Sequence, residues 1–254
     1  MTAYLSATGL EVSFGGLRAL RDCTFTVERG KITCLVGPNG AGKTTIFNVI
    51  TGFLKPDAGS VSFLGRSLDG MKPRDIVAAG IARTFQNLRL FVDLTALDNV
   101  VVALPDQIGE APIAAIFRPF RVAHAQTARR AEAMRILDHV GLASKAHEFV
   151  RNLSYGEQKL LTVARGLATS AELLLLDEPA SGLSAAALDQ IMALLRQLQA
   201  EGKTLLVVEH NTRVVQKIAD DVLFLHQGHL IARGTPEAII ADPALAEIYF
   251  GGAI

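Results

Sequence analysis

Over the first 65 or so residues, apolar and polar positions follow a mostly extended pattern. Leu5–Phe14 and Leu20–Val27 are rich in β-formers, and Glu28-Arg29-Gly30 supplies a turn before the next strand. Lys31–Val36 is short, almost wholly apolar and ends in Gly37, which predicts a central strand buried on both faces, as in parallel sheets. A helix is expected from about Lys43 to Thr51, with Gly52 placed to end it. Gly59–Leu64 returns as a strand, and Pro73–Ala79 reads as a short helix stopped by Gly80.

The pattern changes between Asn87 and about Gly166. Ala128, Ala131, Leu137 and Val140 recur at helical spacing within Thr127–Val140, and Gly141 closes that run. Pro105, Pro112 and Pro119 break the chain ahead of it. The stretch reads as a helical subdomain inserted into an α/β core. Beyond it, Leu173–Leu176 and Thr204–Val208 predict two further buried strands. Between them Leu188, Ile191, Leu194, Leu195 and Leu198 mark a helix, with Ser184 as its N-cap and Gly202 as its stop. Asp221–Leu225 and His229–Ala232, joined by Gln227-Gly228, predict a hairpin. Thr235-Pro236 and Asp242-Pro243 each open a terminal helix.

Composition narrows the function classes. The 254 residues are half hydrophobic, which excludes a disordered chain, and the length suits one large α/β domain or a core with a smaller attached lobe. Lys plus Arg and Asp plus Glu number 25 each, so the net charge is zero and a basic face for gripping nucleic acid is not expected. Cys23 and Cys34 show no metal-binding spacing, and Cys34 sits in an apolar run, as a buried reduced thiol would. The N-terminus lacks a secretory pattern and no apolar run is long enough to span a bilayer, so the expected location is cytoplasmic.

Two segments carry chemistry. Gly37-Pro38-Asn39-Gly40-Ala41-Gly42-Lys43-Thr44 matches the phosphate-binding pattern G-x-x-x-x-G-K-[ST], with a buried strand before it and a helix after. Its glycines let the backbone wrap a polyphosphate, and the helix N-terminus adds partial positive charge. Lys43 is expected at the β- and γ-phosphates, the Thr44 hydroxyl on Mg²⁺, and the remaining contacts from Asn39, Gly40, Ala41, Gly42 and the adjoining Thr45. Leu173–Leu176 then delivers Asp177 and Glu178 to the end of a strand, where open α/β sheets bind ligands. Asp177 can hold Mg²⁺ directly or through water, and Glu178 is placed to polarise the attacking water. Leu153–Gln158 is open to two readings: Ser154 and Glu157 form an S-x-x-E capping box that a helix start explains fully, while the same geometry could present N–H groups and a hydroxyl to an anion.

Taken in order, Gly37–Thr44, Gln86, Leu153–Gln158, Asp177-Glu178 and His210 resemble the nucleotide-binding subunit of an ATP-binding-cassette (ABC) transporter over essentially the whole chain. The resemblance implies the fold class α/β, a P-loop NTPase core with an N-terminal antiparallel β subdomain and an inserted α-helical subdomain. Residues 1–86 and 167–254 would form the β subdomain and ATPase core, and 87–166 the helical subdomain. It also implies ATP and Mg²⁺ as cofactors and a dimer in which Ser154 and Gly156 of one chain cap the γ-phosphate held by Lys43 of the other. By the same resemblance Gln86 would sense Mg²⁺ and the attacking water, His210 would contact the γ-phosphate, and Phe14 would stack on adenine.

Phe14–Leu20, Arg83-Thr84-Phe85-Gln86, Glu178–Leu183, Glu209-His210-Asn211 and Tyr249-Phe250-Gly251 are similar to the importer ATPases for branched-chain amino acids. That implies a second ABC ATPase subunit in a homo- or heterodimer, two transmembrane permease subunits, a periplasmic binding protein as an indirect partner, no nucleic acid, and a place on the inner face of the membrane. Related ATPases serve urea, amides or lipopolysaccharide. Two departures stand out: Tyr155 and Glu157 replace the commoner Gly and Gln of the signature, and Ser184 stands where many relatives have Asp. A GTPase is not expected, because no N-K-x-D motif is present. Finally, Phe117, Arg118, Phe120 and Arg121 combine apolar and basic character without acid, which would suit a permease or lipid headgroups, or else a loop with a solvated rim.

Overall fold

The computed structural model describes residues 4–85, 87–105 and 119–250, with the side chains of 119–125, 246, 249 and 250 outside the description. The chain folds as two compact units. The first comprises residues 1–86, 172–182 and 188–254, and the second residues 87–171 and 183–187.

The first unit contains two sheets. Strands β1 (Leu5–Phe14), β2 (Leu17–Val27), β4 (Ala58–Phe63) and β5 (Arg66–Ser67) form an antiparallel sheet in the order β2-β1-β4-β5. The second sheet runs β10-β9-β3-β8-β7-β6, from β3 (Ile32–Val36), β6 (Ile81–Arg83), β7 (Leu173–Asp177), β8 (Thr204–Val208), β9 (Asp221–His226) and β10 (His229–Gly234). All its pairings are parallel except the β9–β10 hairpin. β3, β7 and β8 are buried at every position, as their uninterrupted apolar runs predict. Because β3, β8 and β7 are neighbours pointing the same way, their C-terminal ends meet at one edge of the sheet.

Helix α1 (Lys43–Ile50) buries Ile46, Phe47 and Ile50, positions i, i+1 and i+4 of one face, in a core shared with Leu10, Leu35, Leu206 and Leu223. Helices α2 (Pro73–Ala78), α7 (Thr212–Ile218), α8 (Pro236–Ala241) and α9 (Pro243–Phe250) belong to this unit, as does most of α6 (Ala185–Ala200). Both cysteines are free and buried; burial pushes the Cys23 thiol up to about 11 and that of Cys34 further still, so each behaves as a small apolar group.

The second unit holds α3 (Ala96–Ala103), α4 (Pro119–His139) and α5 (Tyr155–Ala168). Thr95 caps α3 by accepting from the Asp98 N–H at 3.1 Å. Fully buried Asn99 donates to the Phe91 and Thr95 carbonyls at 2.9 and 3.0 Å and accepts from the Phe91 N–H at 3.0 Å, which fastens the segment ahead of the helix. At the other end of α3, the Arg129 guanidinium donates to the carbonyls of Val101 and Leu104, both at 3.1 Å.

Most element types follow the hydrophobic pattern, which does not single out α3 or α7; three further differences have local reasons. β2 begins at Leu17, three residues before the expected start, because the exposed Leu17-Arg18 end is carried by pairing with Ser13-Phe14 rather than by burial. The two-residue β5 is too short to leave a periodic trace. α4 begins at Pro119 itself, eight residues ahead of the expected Thr127, since a proline in the first turn removes an N–H that has no intrahelical partner anyway. Phe117 and Arg118 lie outside the described residues, as do the side chains of Phe120 and Arg121.

Candidate active site

The loop that follows β3 is shaped by glycines where no other residue fits. At Gly37, with φ +147°, a Cβ would stand 2.0 Å from the Leu225 carbonyl oxygen of β9; at Gly42, with φ +110°, it would stand 2.6 Å from the Ala19 carbonyl oxygen. The turn closes through the Ala41 N–H to the Pro38 carbonyl at 3.2 Å, and α1 opens at Gly42 with no side-chain cap. The first-turn N–H groups of α1 therefore remain available to an anion, with the helix dipole behind them. Gly37→Ala is expected to cost about 3 kcal/mol or more, because the clashing Leu225 carbonyl is backbone and cannot step aside. Gly15→Ala, also at positive φ but with open space around it, should cost only about 1 kcal/mol of backbone strain. Thermal unfolding midpoints of the two variants check this; equal losses would contradict it.

Lys43 is buried, and its Nζ donates to the carbonyls of Gly37 at 2.6 Å and Pro38 at 2.9 Å, so the ammonium is held over the mouth of its own loop. Burial pulls its pKa below the ordinary lysine range, while the carboxylates of Glu178 and Asp177 oppose that pull. Phe14, Asn39–Thr45 and Glu178 line one cleft of about 790 Å³. Phe14 is half exposed at the end of β1.

At the end of β7, Asp177 is buried and accepts a hydrogen bond from Arg83 Nη2 at 3.2 Å; its backbone N–H donates to Thr84 Oγ1 at 3.3 Å. Arg83, itself buried, also donates to Asn48 Oδ1 at 2.7 Å and lies over the rings of Phe47 and Phe85, so the guanidinium ties β6, α1 and β7 together. Glu178 adopts a left-handed backbone, φ +49°, fixed by its N–H to the Val208 carbonyl at 3.0 Å. Its Oε1 lies 3.7 Å from Nδ1 of the exposed His210, which follows β8. Thr44 supplies a hydroxyl and Asp177 a carboxylate, hard oxygens of the kind that hold Mg²⁺ together with substrate phosphates. Among the described residues no three His, Cys, Asp or Glu side chains cluster as a metal cage.

Ser154 and Gly156 belong to the second unit. Ser154 Oγ accepts from the Glu157 N–H at 3.3 Å and Glu157 Oε2 accepts from the Ser154 N–H at 2.7 Å, the reciprocal capping box read from the sequence. The hydroxyl proton is not used in that box and can be donated elsewhere. A Cβ at Gly156 would lie 3.0 Å from the Ala187 Cβ, and Tyr155 is half exposed. Gln86 lies outside the described residues.

A family model described as ABC transporter matches residues 20–181. The chain belongs to the ABC transporter family. Among curated members, the high-affinity branched-chain amino acid transport ATP-binding protein LivG of Salmonella typhimurium is 37% identical over 252 residues, 98% of each chain. BraF of Pseudomonas aeruginosa, with the same printed function, is 36% identical over 250 residues, again 98% of each. Two solved ABC cassettes superpose with TM-scores of 0.84: a nucleotide-free ATP-binding cassette at 29% identity, covering 98% of this chain and 99% of the other, and one in its ADP conformation at 30% identity, covering 99% and 100%.

Within this ABC fold, three site residues escaped the sequence reading. Arg83 meets Asp177 across 94 positions, and only the sheet order brings them together. Arg18 and Arg21 line the cleft beside Phe14; their signal was a pair of arginines in an otherwise β-forming stretch directly after the Gly15-Gly16 turn.

Proposed function

We propose that this ABC cassette hydrolyses ATP and thereby drives import of branched-chain amino acids through partner permeases. The observation that supports it best is the convergence of Phe14, Asn39–Thr45 and Glu178 on one cleft, in a chain aligned end to end with two branched-chain amino acid transport ATP-binding proteins.

In this reading adenine stacks on Phe14 and the polyphosphate lies against the loop amides and the N-terminus of α1. Lys43 turns from the Gly37 and Pro38 carbonyls to the β- and γ-phosphates, which exchanges two neutral acceptors for charged ones. Glu178 accepts a proton from the attacking water as its oxygen bonds the γ-phosphorus and the bridging bond to ADP breaks, leaving ADP and phosphate. His210 and Gln86 steady the γ-phosphate and the water. Thr44, Gln86 and Asp177 would hold Mg²⁺, which when bound neutralises charge on the phosphates.

Ser154 and Gly156 of a second cassette, a copy of this chain or a related ATPase, complete the site from the opposite side. Residues 87–166 would then be the helical subdomain that presents this signature. No helix among the described residues is long and apolar enough to cross a membrane. In this reading transport runs through two permease subunits, with the cassette held on the inner face of the membrane and a periplasmic binding protein delivering cargo to them. In proteoliposomes holding the assembled transporter, leucine with its binding protein should stimulate ATP hydrolysis and enter the vesicles. Stimulation by urea or a short amide but not by leucine, isoleucine or valine would overturn the cargo assignment and leave the ATPase assignment standing.

A further inference from the structure

Glu209 is fully buried, between the last residue of β8 and His210. A carboxylate removed from water is costly unless its oxygens are hydrogen-bonded. Here Oε1 accepts from the Ala180 N–H at 2.9 Å and Oε2 from the His210 N–H at 3.3 Å, and the Asn211 N–H also bonds to it. Burial raises the Glu209 pKa above the ordinary glutamate range, and these amides work against that rise. Ala180 lies two residues after Glu178, in a turn closed by the Ser181 N–H to the Glu178 carbonyl at 3.3 Å. His210 begins the next loop, whose Asn211 side chain caps α7 by accepting from the Arg213 and Val214 N–H groups. One buried side chain therefore clamps the two loops whose side chains, Glu178 and His210, stand 3.7 Å apart.

We infer that Glu209 is a positioning residue for hydrolysis: its carboxylate fixes the turn carrying Glu178 and the loop carrying His210 in one register, so that water and γ-phosphate meet both groups together. The inference rests on the roles given above to Glu178 and His210. The chemistry requires a carboxylate, since it alone offers two acceptor oxygens to N–H groups arriving from two directions. Glutamine has the same shape, yet its NH₂ must face one of those N–H groups, donor against donor. It also holds Glu178 in place indirectly, because a non-glycine at positive φ persists only where its surroundings constrain it.

The test compares full-length wild type with Glu209→Gln and Glu178→Gln, measuring unfolding midpoint, ATP affinity, KM and kcat. Glu209→Gln should lower kcat about 10- to 100-fold, the effect of one misdirected charge-assisted hydrogen bond on a transition state. Its ATP affinity and KM should stay near wild type, because the Lys43 loop is untouched. A folded Glu209→Gln with wild-type kcat, or one whose ATP affinity falls as far as kcat, would overturn the positioning role while an inactive Glu178→Gln kept the site reading intact. A fully active Glu178→Gln would instead overturn the site reading and this inference with it. If Glu209→Gln does not fold, amide hydrogen exchange on the wild type decides: slow, matched exchange at Ala180 and His210 supports the clamp, and fast exchange at Ala180, as in an exposed turn, overturns it.

Discussion

Glu178→Gln should bind ATP as tightly as the wild type and turn it over about 10²- to 10⁴-fold more slowly, the range that a positioned general base contributes. The substitution keeps the side chain's size and reach but replaces a charged proton acceptor by a neutral amide that cannot take a proton from water. The left-handed backbone at Glu178 and the Val208 contact that holds it are indifferent to the change, so fold and cleft should survive. Binding without hydrolysis leaves the triphosphate in place, and the variant should accumulate as a nucleotide-dependent closed dimer, visible by size-exclusion chromatography with ATP and not with ADP. Turnover near the wild-type rate would remove Glu178 from the chemistry.

Lys43→Ala should fail one step earlier, with ATP affinity reduced about 10- to 100-fold or more, as expected for losing a charge-assisted contact to phosphate. The ammonium is buried at the loop mouth and contributes its full charge in a site of low dielectric, between the loop carbonyls and the carboxylates of Glu178 and Asp177. Without it the two nearby carboxylates repel the incoming phosphates with less compensation. Equilibrium binding of ATP separates this variant from Glu178→Gln: the first loses affinity, the second loses turnover. An unchanged dissociation constant would mean that the triphosphate sits elsewhere.

The phosphate loop was legible in the sequence because its motif is local, although the carbonyls that leave no room for a side chain at Gly37 and Gly42, those of Leu225 and Ala19, lie far away in the chain. Strand, glycines, lysine and helix follow one another within twenty residues, so the pattern is complete in one short stretch. The buried strands β3, β7 and β8 were legible for a similar reason, since burial on both faces leaves an unbroken apolar run. The capping box at Ser154 and Glu157 could be read from a spacing of three, and its hydrogen bonds are the ones that spacing demands. What could not be read depends on strand order. Arg83 is a polar residue at the end of a short strand until β6 pairs with β7, which sets it beside Leu175 and lets its guanidinium reach Asp177 two residues further along. Glu209 looks like a solvent-facing residue after an apolar strand; only the adjacency of β7 and β8 closes the turn at Ala180 over it and turns it into a buried clamp. Pro119, read as a break, opens α4, because a proline's effect depends on which turn of the helix it occupies.

A mixing experiment tests most directly the proposal that each ATP is gripped by one cassette and hydrolysed only when another covers it. Lys43→Ala and Ser154→Ala are each prepared alone, shown to be folded, and assayed for ATP hydrolysis separately and in equal mixture. Each variant by itself has a defect in both of its composite sites and should be nearly inactive. In a mixed two-fold dimer one site carries both defects and the other neither, so random pairing should restore about one quarter of the wild-type rate. Where the wild-type chain hydrolyses ATP as a dimer of its own copies, a mixture no more active than the sum of its parts would contradict the account and place grip and cover within a single chain.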